Sequence, residues 1–117
     1  MPTLTITTNV GKEKIPDGFL QKTAQLVAEL LSKPLSYVVV HIIPDQMMSW
    51  GGSNDPCAFT TLGSIGSLGR KENVKISDRL SSHIDEALGI KPDRMYINFV
   101  DYKRENVGYA GTTFADM

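Results

Sequence analysis

The chain has 117 residues, 41% of them hydrophobic and 21% charged, with a net charge of −1. That length suits one domain, residues 1–117, with a sizeable core, and the scattered Lys and Arg lack the electrostatic footprint of a nucleic-acid binder. Cys57, the only cysteine, excludes an internal disulfide; no apolar run reaches the length of a membrane span or a signal peptide, so the expected location is the cytoplasm, and any secretion would bypass the usual signal.

The first predicted element is a strand. Leu4 and Ile6 alternate with Thr3, Thr5 and Thr7, the period-two pattern of a half-buried strand. At its tip stands Met1-Pro2. While Met1 remains, the Pro2 nitrogen is a tertiary amide without useful basicity. If Met1 is removed, that nitrogen becomes a free secondary amine, and all the chemistry below depends on this cleavage. A helix is predicted from about Pro16-Asp17 to Ser32: Asp17 suits the positive end of the dipole, and Leu20, Ala24, Val27 and Leu31 recur at helical spacing with Leu30 beside them. Pro34 stops it. Residues 35–43 are the second strand, and 44–56 a long connection with Gly51-Gly52-Ser53 at its flexible middle. Residues 57–65 are the third strand and 66–69 a turn, with Arg70-Lys71-Glu72 a solvated approach to the next helix. Residues 75–88 are that helix, with Ile76, Leu80, Ile84, Ala87 and Leu88 on one stripe. Gly89 is placed to end it in a left-handed cap. Residues 95–102 close the set as a fourth strand. A polar turn, 103–106, and a tail with Val107, Tyr109 and Phe114 follow.

The chain also repeats itself. Lys33-Pro34 and Lys91-Pro92 stand 58 residues apart, each followed by a strand, and the same offset sets Leu26 on Ile84 and Leu30 on Leu88. Two strand-helix-strand units, about 2–50 and 57–102, with a tail at 103–117, account for this. Such a unit implies a right-handed parallel crossover. Two of them side by side make an α/β (α+β) fold, a four-stranded mixed sheet with both helices on one face. In the second strand Val38, Val40 and Ile42 alternate with Val39, His41 and Ile43; in the fourth, Met95, Ile97 and Phe99 alternate with Tyr96, Asn98 and Val100. Strands apolar on both faces are normally covered on both, and two helices cover one. A partner subunit is expected on the other, with the tail adding an edge strand to a neighbour; the alternative is a monomer whose tail folds back.

Met1-Pro2 opening a Thr-rich strand, Ile15-Pro16-Asp17-Gly18-Phe19-Leu20, Lys33-Pro34, Tyr37-Val38-Val39-Val40-His41 and Pro44-Asp45-Gln46 form a series. It continues through Gly51-Gly52-Ser53, Asp55-Pro56-Cys57-Ala58, Ser64-Ile65-Gly66, Pro92-Asp93-Arg94-Met95-Tyr96-Ile97-Asn98, Asn106-Val107-Gly108 and Thr113-Phe114-Ala115. The series resembles the macrophage migration inhibitory factor family of the tautomerase superfamily, over nearly the whole chain. The resemblance implies the two-unit fold derived above, assembled as a homotrimer around a central channel. It also implies keto–enol tautomerisation of small aromatic keto acids such as phenylpyruvate, and of dopachrome-like compounds, by the amino-terminal proline without a cofactor.

For Pro2 the physics is coherent. A free α-amino group titrates at about 7.7–8.0; burial and a neighbouring Lys33 ammonium both lower that value, toward the range where a general base works best. Lys33 has a second explanation as a helix-terminal cation. Lys91 occupies the matching place in the second unit, so the residues alone leave capping and catalysis equally open. The resemblance assigns Lys33 to binding the substrate's carboxylate or enolate oxygen. It also assigns Ile65, through its backbone N–H, and Tyr96 and Asn98 from the adjacent subunit to substrate binding, with Val107 and Phe114 at the apolar rim. By side chain alone Ile65 and Phe114 read equally well as core, and Asn98 as an amide bonded within the sheet, since an unpaired buried amide is costly.

Three departures from the family pattern bear on substrate preference rather than on proton transfer. Cys57-Ala58-Phe59-Thr60 lacks the second cysteine that a dithiol cycle needs. Tyr109 stands where Trp is frequent, and Gly63 where His is frequent. His41 and His83 lack metal-ligand spacing; His41 is expected as a satisfied core residue, His83 on the helix flank, and Trp50 as packing. The resemblance also implies a second class of function, a cytokine of innate immunity, secreted without a signal peptide and acting on a cell-surface receptor such as the MHC class II invariant chain.

Overall fold

The computed structural model describes all of the chain, Met1–Met117. Alternation in the first segment forms β1 (Thr3–Thr8), with Leu4 and Ile6 fully buried on one side. A turn through Gly18, whose φ of 81° favours glycine, leads into α1 (Phe19–Leu31). This helix starts later than Asp17, which stays in the preceding turn. Its buried stripe is also rotated: Phe19, Thr23, Val27 and Leu31 face inward, and Leu20 is 41% exposed. Thr23 is tolerated inside because its hydroxyl donates to the Phe19 carbonyl at 2.6 Å. Ser32 ends the helix in the left-handed region, φ 52°, and Pro34 continues in extended conformation. Leu35–Tyr37 form a 3-10 turn, so β2 is only Val39–Ile43.

The connection to the second unit is ordered by hydrogen bonds. Gly51 and Gly52 both sit at positive φ, the conformation of a tight two-residue turn, closed by paired bonds between Trp50 and Ser53 at 2.9 and 3.1 Å. Next come β3 (Ala58–Ser64), α2 (Arg70–Leu88) and β4 (Met95–Asp101). The stretch Arg70-Lys71-Glu72 is the first turn of α2, which begins well before residue 75. Its polar residues face solvent, so the apolar stripe that marks the helix starts only at Ile76. Gly89 caps the helix at φ 72°, its N–H donating to the Asp85 carbonyl at 2.8 Å. A 3-10 turn, Arg104–Asn106, precedes a small hairpin of β5 (Gly108–Tyr109) and β6 (Thr112–Thr113).

The sheet order is β2-β1-β3-β4. Each crossover joins a parallel pair, β1 with β2 and β3 with β4, and the two units meet antiparallel through β1 and β3. One core lies between the sheet and both helices, containing Leu4, Ile6 and Leu62 with Val27, Leu31, Ile76, Leu80 and Ile84. The other face of the sheet is uncovered. Register sets three rows across it: Val39–Thr3–Gly63–Val100, His41–Thr5–Thr61–Asn98 and Ile43–Thr7–Phe59–Tyr96. Val39, Phe59 and Tyr96 are 56%, 49% and 64% exposed there. His41 is exposed on this face as well, contrary to the expectation of a core histidine, because its register partner is Thr5 rather than Leu4. No helix is long and apolar enough to cross a membrane.

Candidate active site

Parallel pairing of β2 with β1 brings the chain just before β2 alongside the head of β1. Val39 N–H donates to the Pro2 carbonyl at 3.0 Å. Because α1 runs back against β1, its C-terminal end returns to the same place and delivers Lys33. The Lys33 Nζ donates to the Ile65 carbonyl at 2.9 Å. Ile65 follows β3 directly and is fastened on both sides: Tyr102 N–H donates to the Ser64 carbonyl at 2.8 Å, and Gly66 N–H to Asp101 Oδ1 at 3.0 Å.

A cleft of about 240 Å³ opens here, lined by Met1, Thr3, Tyr37, Val107, Tyr109 and Phe114 among others. Its aromatic wall is one cluster. Tyr37 meets Tyr109 and Phe114 edge-on at 5.5 and 5.7 Å between ring centroids, and Tyr109 stacks on Phe114 at 5.5 Å. The tail hairpin holds this wall, with Phe114 N–H donating to the Val107 carbonyl at 3.1 Å. A flat apolar wall of about this volume accommodates one small aromatic ring.

The terminal amine at the head of β1 is held below its ordinary pKa. Burial is the largest cause, followed by repulsion from Lys33 and then from Arg104. Neither cation is neutralised, since the chain's ion pairs are Arg79–Glu29 and Lys91–Asp85. In this chain the amine belongs to Met1, and Pro2 lies buried behind it with its nitrogen in the amide.

Of the residues singled out in the sequence, Pro2, Lys33, Ile65, Val107 and Phe114 gather at this end. Tyr96 and Asn98 do not. Asn98 is two strands away, paired with Thr61 across β3, and faces outward. Exposed to solvent, its amide needs no partner within the sheet. Tyr96 lies one row further from Pro2, against Trp50 at 4.4 Å. Tyr37 and Arg104 had no site role from the sequence. Parallel pairing of β2 with β1 was the one signal that could have located Tyr37, and a polar turn offers none for Arg104.

The sequence profile of the family described as macrophage migration inhibitory factor (MIF) matches residues 1–115. The chain belongs to the MIF family. The MIF homolog of Trichinella spiralis is 47% identical over 114 residues, which are 97% of this chain and all of that protein. The mouse MIF is 44% identical over 115 residues, 98% of this chain and all of that one. The solved MIF structure from Trichinella spiralis superposes with a TM-score of 0.94 at 46% identity, covering 96% of this chain and 99% of that one. A MIF homologue from Prochlorococcus marinus gives 0.89 at 31% identity, over 96% and 98%. These MIF relatives match from the head of β1 to the tail hairpin, so both walls of the cleft fall inside the shared fold.

Proposed function

We propose that this MIF-family protein is a keto–enol tautomerase whose general base is the amine of Pro2, exposed by removal of Met1. The observation that carries the reading is the amine at the head of β1, held below its ordinary pKa by burial and two unpaired cations, in front of an aromatic cleft. The same two cations lie near the head of β1, so an amine at the Pro2 nitrogen meets the same repulsion and is biased toward the neutral base. That nitrogen takes a proton from the carbon next to the carbonyl and returns it at the other end of the enol system. Lys33 stabilises the developing negative charge, and the aromatic wall holds the ring of a phenylpyruvate- or dopachrome-like substrate. The uncovered sheet face supports a homotrimer, in which Tyr96 and Asn98 of a neighbour complete the site.

The test is an Ala inserted between Met1 and Pro2, which ties the proline nitrogen into an amide even after Met1 is lost. The expected protein is folded and assembled yet almost inactive on phenylpyruvate, while Pro2→Gly loses about 10²–10⁴-fold of the rate. Normal turnover by the insertion protein would remove Pro2 as the base. A second reading, signalling through a cell-surface receptor after non-classical secretion, draws on the relatives' name, which describes an effect on macrophage migration. The two readings separate cleanly, because the insertion protein should keep receptor binding.

A further inference from the structure

The uncovered side of the sheet carries one imidazole in its middle. His41 stands in the row His41–Thr5–Thr61–Asn98, flanked by the rows Val39–Thr3–Gly63–Val100 and Ile43–Thr7–Phe59–Tyr96. None of these positions carries Asp, Glu, Lys or Arg. The helix α1 packs on β2 from the opposite side, where Val40 and Ile42 meet the core, so its charged residues lie across the sheet from the imidazole. The other titratable groups on the uncovered side are Tyr96 in the adjoining row, Tyr102, whose ring lies against Gly63, and the terminal amine past the Thr3 row. None of them is a carboxylate, and His41 takes part in neither of the chain's ion pairs. A charged ring at His41 therefore depends on water for its solvation, and in the single chain it is exposed to water. Val39 and Thr3, one row away, line the aromatic cleft, so whatever covers this face also borders the cleft.

We infer that His41 is a pH switch for assembly: the homotrimer forms with neutral imidazoles and comes apart as they gain protons. The inference rests on the homotrimer reading and adds its regulation. A closed trimer turns three copies of this face toward one axis and removes water from around each ring. Burying an unpaired charge is costly, and three imidazolium groups gathered about one axis also repel one another. Imidazole gains its proton as pH falls through about 6.5. Below that value the separated chains bind more protons than the trimer does, so assembly is full above it and is lost as pH drops through it. Dissociation in acid would uncover the flank of the cleft at Val39 and Thr3 at the same time.

The experiment is sedimentation equilibrium of wild type, His41→Gln and His41→Lys at pH 7.5 and pH 5.5, with far-UV circular dichroism at both to keep dissociation apart from unfolding. Each imidazole that charges only in the separated chain contributes about tenfold over that interval. Three of them raise the trimer dissociation constant about 1,000-fold, and the concentration of half-assembly about 30-fold, since that constant scales with concentration squared. The expected wild type is trimeric at pH 7.5 and shifts by about that factor at pH 5.5 while staying folded. His41→Gln, which cannot charge, assembles alike at both values, and His41→Lys stays a folded monomer at both. If His41→Gln does not assemble, His41→Thr, which matches Thr5 and Thr61 in the row, takes its place. No shift in wild type, or an equal shift in wild type and the neutral variant, overturns the inference and leaves the homotrimer standing. Assembly of His41→Lys as tight as that of wild type overturns it as well. A wild type that is monomeric at both pH values removes the homotrimer itself, and the switch with it.

Discussion

Lys33 and Lys91 show how two residues in matching positions of a repeat diverge. Both follow a helix, but Lys91 Nζ reaches Asp85 at 3.8 Å on the surface, whereas Lys33 Nζ crosses to the Ile65 carbonyl at 2.9 Å. Exposed pairs like the first contribute little. We expect Lys33→Ala to raise KM for phenylpyruvate well above the effect of Lys91→Ala. The sign for the amine follows from repulsion: removing Lys33 removes a depressing charge, so the amine's pKa rises. The acid limb of the kcat/KM profile should therefore move to higher pH in Lys33→Ala and stay put in Lys91→Ala. Equal shifts in the two would return Lys33 to a helix-terminal role. Gly63 is a second case. A Cβ there would come within 2.3 Å of the Tyr102 ring and 3.0 Å of Thr3 Oγ1. Gly63→Ala is expected to cost about 1–3 kcal/mol by overpacking, measurable by urea unfolding. Adding Tyr102→Ala should recover part of that loss, since the two sites are coupled.

Between the helices, His83 stacks on Phe19 at 5.6 Å and lies 2.9 Å from the Thr23 hydroxyl. That hydroxyl already donates to the Phe19 carbonyl, so the ring's Nε2 carries the proton and donates to Thr23. Burial is the main cause that lowers the His83 pKa; Glu86 acts against it and Lys22 with it. The folded state therefore favours the neutral ring. Below the ordinary imidazole value of about 6.5 the unfolded chain binds more protons, and stability falls as pH drops through that window. The expected outcome is a melting temperature that declines from neutral pH toward pH 5, with a smaller decline in His83→Gln. An identical decline in the variant would assign the effect to other groups.

The 44–56 connection is tied to β4 and the turn before it by side-chain contacts. Arg94 donates to the carbonyls of Pro56 and Asp55 at 2.9 Å each and of Ser53 at 3.3 Å, and Trp50 rests on Tyr96. Trp50 is the chain's single tryptophan, so its emission reports this contact directly. Arg94→Met should shift that emission to the red as Trp50 leaves Tyr96 for solvent. Unchanged emission would show that the ring contact survives without the guanidinium.

At the scale of the whole molecule the decisive feature is the bare sheet face. Val39, Phe59 and Tyr96 remain exposed beside a polar middle row of His41, Thr5, Thr61 and Asn98. A contiguous face of this kind on an isolated chain calls for a partner. Sedimentation equilibrium at micromolar concentration is expected to give a homotrimer, and Phe59→Lys to weaken it. A stable monomer would remove both the assembly and the proposed share of Tyr96 and Asn98 in the site.

Local periodicity determined much of this protein in advance. Leu4 and Ile6 mark β1, the stripe from Ile76 to Leu88 marks α2, Gly89 marks its cap, and the repeat about Lys33-Pro34 and Lys91-Pro92 sets two parallel units. These features were legible because each depends on residues a few positions apart in one element. The face that α1 buries was not: Leu20 and Phe19 are both apolar neighbours, and only packing against the sheet and His83 decides for Phe19. His41 faces outward for a similar reason, since an alternating apolar strand does not say which face the helices cover. The candidate site is the extreme case. Lys33 meets Ile65 across 32 positions, and Arg104 acts on the terminal amine across nearly the whole chain. Charge acts through space, so the grouping at the head of β1 exists only once the two units have paired.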